Sequence, residues 1–200
     1  TGITFLDGDL FLITGSTGGL ITGCNISGNV TVGDGFPGTD SVAFYTISRC
    51  IFNNLYFSSS GLPPTNAHNF SINENVIKGS IFGANANNIS VSKNIVERGI
   101  FSFNGNCTFS NNDFIGLGDC SVMQNYLFDV SACTFENNII IYSPPACTSA
   151  AFFGGICNNN VFTNNIFKDT ISFPQGTNSG FNSITNQLVS STFVSVTGNI

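Results

Sequence analysis

Three acids, Asp113, Asp119 and Asp129, fall within one short stretch of the chain. Two carboxyl groups held about 5–10 Å apart can hydrolyse a glycosidic bond, so these three are the catalytic candidates. Acids in solvated loops have the same appearance in a sequence, and that reading is preferred, with no catalytic residue assigned. A second concentration of charge is Glu74, Lys78, Lys93, Glu97 and Arg98. A basic residue there would be needed to abstract a proton beside a uronate. The spacing instead sets Glu74 over Lys93 and Lys78 over Glu97, as a sheet surface pairs opposite charges. The single histidine, His68, lies in Asn66-Ala67-His68-Asn69 with no Asp pair beside it.

Oxygen-rich turns are the candidates for a metal. Asp7-Gly8-Asp9, and the stretch 33–40 with Asp34 and Asp40, offer carboxylate and carbonyl oxygens of the kind Ca²⁺ prefers. Neither matches the spacing of an EF-hand or of a Ca²⁺-binding nonapeptide array. No cofactor is assigned, and Ca²⁺ stays open. Of the seven cysteines, none forms Cys-x-x-Cys, which argues against zinc. Cys147 and Cys157 bracket a loop and are the preferred disulfide pair. Tyr45, Tyr56, Tyr126 and Tyr142 are the candidates for stacking on a sugar ring. Sequons such as Asn25-Ile26-Ser27 arise by chance in a chain so rich in Asn, Ser and Thr.

Composition narrows the partners. Charged residues make up 8% of the chain, against about 25% in an ordinary soluble domain. Polarity comes instead from 28 Asn and many Ser and Thr, beside 22 Gly and 21 Phe. With a net charge of −6 and five basic residues, the chain cannot neutralise phosphates, which excludes nucleic acid and anionic membrane surfaces. No apolar run reaches the roughly 18 residues a membrane-spanning helix needs. The ends at Thr1 and Ile200 carry neither an initiator Met nor a cap, and read as those of a piece of a longer chain.

The elements that must position these residues are set by a repeat. An apolar residue, two polar ones and an Asn recur as Ile26-Ser27-Gly28-Asn29, Ile72-Asn73-Glu74-Asn75 and Val91-Ser92-Lys93-Asn94. Phe109-Ser110-Asn111-Asn112, Phe135-Glu136-Asn137-Asn138 and Phe162-Thr163-Asn164-Asn165 continue it, and Phe52-Asn53-Asn54-Leu55 is a variant. The apolar residues alternate in short bursts, as strands do, and the period is too long for a helical pattern. The spacing predicts an all-β fold, a right-handed parallel β-helix of about 8 coils of about 18–27 residues, as one domain over 1–200. Stacked coils put like residues about 4.8 Å apart. Asn29, Asn75, Asn94, Asn112, Asn138 and Asn165 are then an internal ladder, each Asn in a left-handed turn. Ile26, Phe52, Ile72, Val91, Phe109, Phe135 and Phe162 form an inward stack. Two residues earlier, Cys24, Cys50, Cys107 and Cys133 share a second inward column and act as small apolar groups.

The motif Cys-Thr-Phe-x-Asn-Asn at 107–112 and 133–138, the run 160–167 and Gly176-Thr177-Asn178-Ser179-Gly180 resemble bacterial secreted right-handed parallel β-helix repeat proteins, the pectin-lyase-like superfamily. The resemblance covers nearly the whole chain and implies an extracellular or bacterial cell-surface location. It implies little about chemistry, because that superfamily hosts lyases, hydrolases, adhesins and phage tailspikes. The preferred function is a non-catalytic module serving as stalk, adhesin or glycan-binding face. The alternatives are a polysaccharide lyase or glycoside hydrolase, and a phage fibre module. The partners expected are a polysaccharide or surface glycan, and neighbouring domains or subunits that cover the solenoid ends. Ice binding is disfavoured because no Thr-x-Thr column repeats along a flat face.

Overall fold

The structure is a computed structural model that describes residues 5–12, 15–33, 41–57, 66–83, 86–101, 103–117, 125–128, 130–143, 151–154, 160–168, 172–173, 183–185, 188–189 and 195–196. Every element among these is a short β-strand, and every strand pairing is parallel. No helix among them is long and apolar enough to cross a membrane.

Three sheets account for almost all the strands. The first is built from Phe5–Leu6, Asn25–Ile26, Ile51–Phe52, Val76–Ile77, Ile95–Val96, Asp113–Leu117, Ile139–Ser143, Ile166–Lys168 and Leu188–Val189. The second holds Leu10–Leu12, Val30–Val32, Leu55–Tyr56, Ile81–Phe82, Ile100–Phe101, Asn125–Phe128 and Ala151–Gly154. The third runs through Thr17–Thr22, Ser41–Ser48, Ser71–Asn73, Ser90–Ser92, Asn104–Ser110, Ser131–Glu136, Val161–Thr163 and Ser183–Thr185. Asn66–His68 and Ala86–Asn87 extend this third sheet beside Ser41–Ala43. The chain visits the sheets in rotation, and each strand pairs with its counterpart of the next round. That arrangement is consistent with a parallel β-solenoid.

Register fixes the columns. In the third sheet Ile21, Ile47, Ile72, Val91, Phe109, Phe135, Phe162 and Ile184 stand one above another, at steps of 18 to 27 residues. Variable connections between constant strands absorb the uneven steps. From Ile47 to Phe162 this column is buried, and the rings of Phe109, Phe135 and Phe162 lie nearly parallel at centroid spacings of 4.7 Å. That spacing is the strand separation itself, so identical side chains stack without adjustment. Two residues upstream, Phe70, Ile89, Cys107, Cys133 and Asn160 are also buried.

The expected inward stack breaks in two at this point. Ile26 and Phe52 belong to the first sheet, in the column of Ile77, Val96 and Phe114, while Ile21 and Ile47 hold the matching places in the third. Likewise Cys24 and Cys50 do not share a column with Cys107 and Cys133. The reason is local. The same sequence pattern, an apolar strand residue followed by a polar turn and an Asn, occurs at two different corners: between the first and second sheets at Asn29 and Asn54, and between the third and first sheets from Asn75 onward. In the first rounds the match falls on the later corner.

Packing also selects small residues inside. Gly83 stands beside the buried Phe103, whose ring meets that of Phe57 edge to face at 6.1 Å. A Cβ on Gly83 would lie 2.5 Å from three atoms of the Phe103 ring. The glycine therefore makes room for the ring above it.

Candidate functional site

The polar residues that repeat inside the fold gather at the corner where the third sheet hands over to the first. Asn75, Asn94, Asn112, Asn138 and Asn165 are buried there and bonded in series. At each step the backbone N–H of one Asn donates to the Oδ1 of the next at 2.9 Å. Its Nδ2 donates to the same Oδ1 at 2.9–3.0 Å. The Nδ2 also donates to the carbonyl of the inward residue one round back, Ile47, Ile72, Val91, Phe109 or Phe135, at 2.9 Å. From Asn94 to Asn138 each amide accepts twice and donates at least twice, the condition for a polar group to lie buried at no loss.

The left-handed residue of each turn is not the ladder Asn, as expected from the sequence, but its predecessor. Glu74, Lys93, Asn111, Asn137 and Asn164 have φ between 53° and 58°. A left-handed residue reverses the chain while presenting the next side chain inward, so the ladder Asn itself keeps an ordinary backbone.

Cysteine extends the column. The backbone N–H of Cys50 donates to Asn75 Oδ1 at 2.9 Å, and that of Cys24 donates to Cys50 Sγ at 3.4 Å. The Cys50 thiol faces the carbonyls of Ser48 at 3.1 Å and Ile21 at 3.7 Å, the positions that Asn amides serve elsewhere. Arg49 supplies the left-handed turn before Cys50, and Gly23 the one before Cys24. Cys133 and Asn160 exchange roles in the same manner at the start of the third sheet. The N–H of Cys133 donates to Asn160 Oδ1 at 3.1 Å, and Asn160 Nδ2 donates to the Val130 carbonyl at 2.7 Å. Burial pushes the Cys50 thiol above its ordinary range. Cys133 is raised by its hydrogen bond to Cys107 and by burial, so both stay protonated.

Asn29 lies outside this ladder and founds another, at the corner between the first and second sheets. Its backbone and side-chain amides donate to Asp9 Oδ1 at 2.6 and 3.2 Å. Its own Oδ1 accepts from the backbone and Nδ2 of Asn54 at 3.2 and 2.8 Å, and Asn54 Oδ1 accepts from Ser80 N–H. Asp7 accepts the Ser27 hydroxyl at 2.8 Å. The metal candidates Asp7 and Asp9 are thus engaged with the next round of the chain. Asp34 and Asp40 lie outside the described residues, as do Asp119, Asp129, Cys147 and Cys157.

The remaining candidates do not converge. Asp113 is exposed on the first sheet, in register with Ile95 and Ile139. Tyr45, in the third sheet, stacks on Phe70 at 5.7 Å and covers Gly19; Tyr56, in the second, stacks on Phe82 at 4.7 Å. Tyr126 and Tyr142 belong to strands of the second and first sheets, and their side chains lie outside the described residues. His68 meets the exposed Phe44 edge to face at 5.8 Å. Glu74 stands between Arg49 and Lys93 in its column, but the ion pair closes with Arg49, Nε to Oε2 at 2.8 Å. That hydrogen bond holds the carboxyl below its usual range, and Lys93 adds a smaller pull. Lys78 and Glu97 follow the paired Ile77 and Val96 on adjacent strands without forming an ion pair.

One regular surface lies on the outer face of the third sheet. Thr46, Ser71, Ser90, Thr108 and Thr134 occupy one outward row of the third sheet, and Asn73, Ser92, Ser110 and Glu136 occupy the other, which begins at Ser48, buried with its hydroxyl donating to Thr22 Oγ1 at 3.1 Å. Leu20 and Thr22 precede these rows, and Val161 and Thr163 follow them. Thr-x-Thr itself does not recur, but pairs of short polar side chains do. No family model matches the chain, nor does any curated protein or solved structure.

Proposed function

We propose that the chain is a non-catalytic module of a right-handed parallel β-helix, extracellular or on a bacterial cell surface, serving as a stalk or glycan-binding face. The observation that carries this reading is the asparagine ladder. Its buried amides bind each round to the next and hold the strands at one spacing, so outward side chains recur on a regular mesh. A scaffold or an extended binding face needs such regularity, whereas a catalytic site needs unlike groups converging on one point. The sparse charge agrees, since uncharged hydroxyl and amide groups, which this chain has in abundance, can both donate to and accept from sugar hydroxyls. Incubating the protein with pooled acidic and neutral polysaccharides tests the reading. Intact polymers after prolonged incubation are expected, and release of unsaturated or reducing ends would overturn it.

A further inference from the structure

We infer that the outer face of the first sheet is a self-association surface, on which a second copy of this chain packs face to face about a two-fold axis parallel to the stacking direction. Ile51, Val76, Ile95, Ile139 and Ile166 run in register along the middle of that face, each exposed or half-buried, and only Asp113 interrupts them. Strand propensity does not account for them, because the matching outward row of the third sheet is built from Ser and Thr. An apolar stripe that faces water marks an interaction surface.

Charge identifies the occupant. Glu74 and Lys93 border the stripe at the corner with the third sheet, and Lys78 and Glu97 border it on the other side. The signs alternate from one round to the next and are opposite across each strand. Glu74 and Lys78 flank Val76, and Lys93 and Glu97 flank Ile95. Rotation about an axis along the stripe sets each strand against its own copy with the borders exchanged. Glu74 then meets the partner's Lys78, Lys93 meets the partner's Glu97, and each apolar residue meets itself. Packed sheets stand about 10 Å apart, a gap that a Lys and a Glu side chain span together. An apolar centre within a charged rim is the ordinary anatomy of an interface, and this rim is complementary to itself. Seven strands, from Asn25–Ile26 to Ile166–Lys168, make a face able to bury on the order of 1,200 Å² over both copies, the low end for a specific interface. Asp113 meets itself on the axis and opposes association. A dimer that forms at micromolar concentration follows.

Sedimentation equilibrium of the 200-residue protein over a concentration series tests the assignment. A monomer–dimer equilibrium is expected, weakened by salt. Ile95→Asp should weaken it at least tenfold, and Asp113→Asn should tighten it about threefold. Ser90→Asp, on the outer face of the third sheet, should leave it unchanged. Lys93→Glu should weaken the dimer by setting two carboxylates together, and a glutamate already holds the equivalent left-handed turn at Glu74. Adding Glu97→Lys to Lys93→Glu should restore association, because the exchanged charges are complementary again. In an antiparallel dimer Lys93 would meet the partner's Glu74, and the exchange would not rescue it, so failure of rescue overturns the proposed axis. If Ile95→Asp does not fold, Lys93→Glu and its rescue carry the test alone. A protein monomeric at every concentration, or a dimer indifferent to both Ile95→Asp and Lys93→Glu, would overturn the assignment.

Discussion

The ladder asparagines are irreplaceable for reasons of hydrogen-bond inventory. Asn112 accepts the Asn94 backbone and side-chain amides and donates to Val91 O and Asn138 Oδ1. Asn112→Ala strands several buried groups at once and should lower unfolding stability by about 3 kcal/mol in denaturant titration. Asn112→Asp keeps the shape but points acceptors at Val91 O and Asn138 Oδ1, so it should be at least as harmful at neutral pH. If Asn112→Asp matches wild type, the ladder contributes nothing through its Nδ2 groups. Cys50 invites the reverse substitution. Cys50→Asn completes the ladder toward Cys24 and should preserve the melting temperature, whereas Cys50→Ala should lower it, because Ile21 O and Cys24 N–H lose their partner. The Arg49–Glu74 pair adds a pH dependence of known sign. A carboxyl held low in the folded state adds stability above its unfolded pKa, and this is lost as pH falls through the folded value. Glu74→Gln should therefore be less stable than wild type near neutrality, with the difference vanishing in acid and shrinking in high salt.

At the scale of the element, a short strand means little until its register is known. The run from Ile72 to Asn165 was legible because the same four-residue pattern falls at the same corner in every round, so spacing alone aligned Asn75, Asn94, Asn112, Asn138 and Asn165. Asn29 was misplaced because the corner after the first sheet is built from the same residue types. Nothing in the pattern distinguishes the two corners; the pairing of Phe52 with Ile77, and of Ile47 with Ile72, does. The role of Cys50 was not readable either, since a thiol in an amide's place carries no signature in a sequence. The hydroxyl rows followed once Ile47, and not Phe52, was aligned with Ile72. Gly83 shows how tightly neighbouring strands constrain one another. Gly83→Ala forces the Phe103 ring aside within a close-packed interior and should destabilise by about 1–3 kcal/mol in thermal or denaturant unfolding. A neutral effect would mean that the Phe103 ring has room to move.

Over the whole molecule, the described rounds share one construction. Stacked Ile, Val and Phe columns fill the interior, amide and thiol ladders close the corners, and a polar mesh of few charges faces outward on the third sheet. Charge contributes little, which suits a body whose stability comes from repetition between neighbouring rounds. The construction stands or falls on the buried amides, and hydrogen exchange measured by NMR on ¹⁵N-labelled protein reports on them directly. The side-chain Nδ2 hydrogens of Asn94, Asn112 and Asn138 should exchange far more slowly than those of the exposed Asn88, Asn111 and Asn137. Equal, fast exchange in both groups would contradict a buried ladder and, with it, the regular frame that carries the outer face.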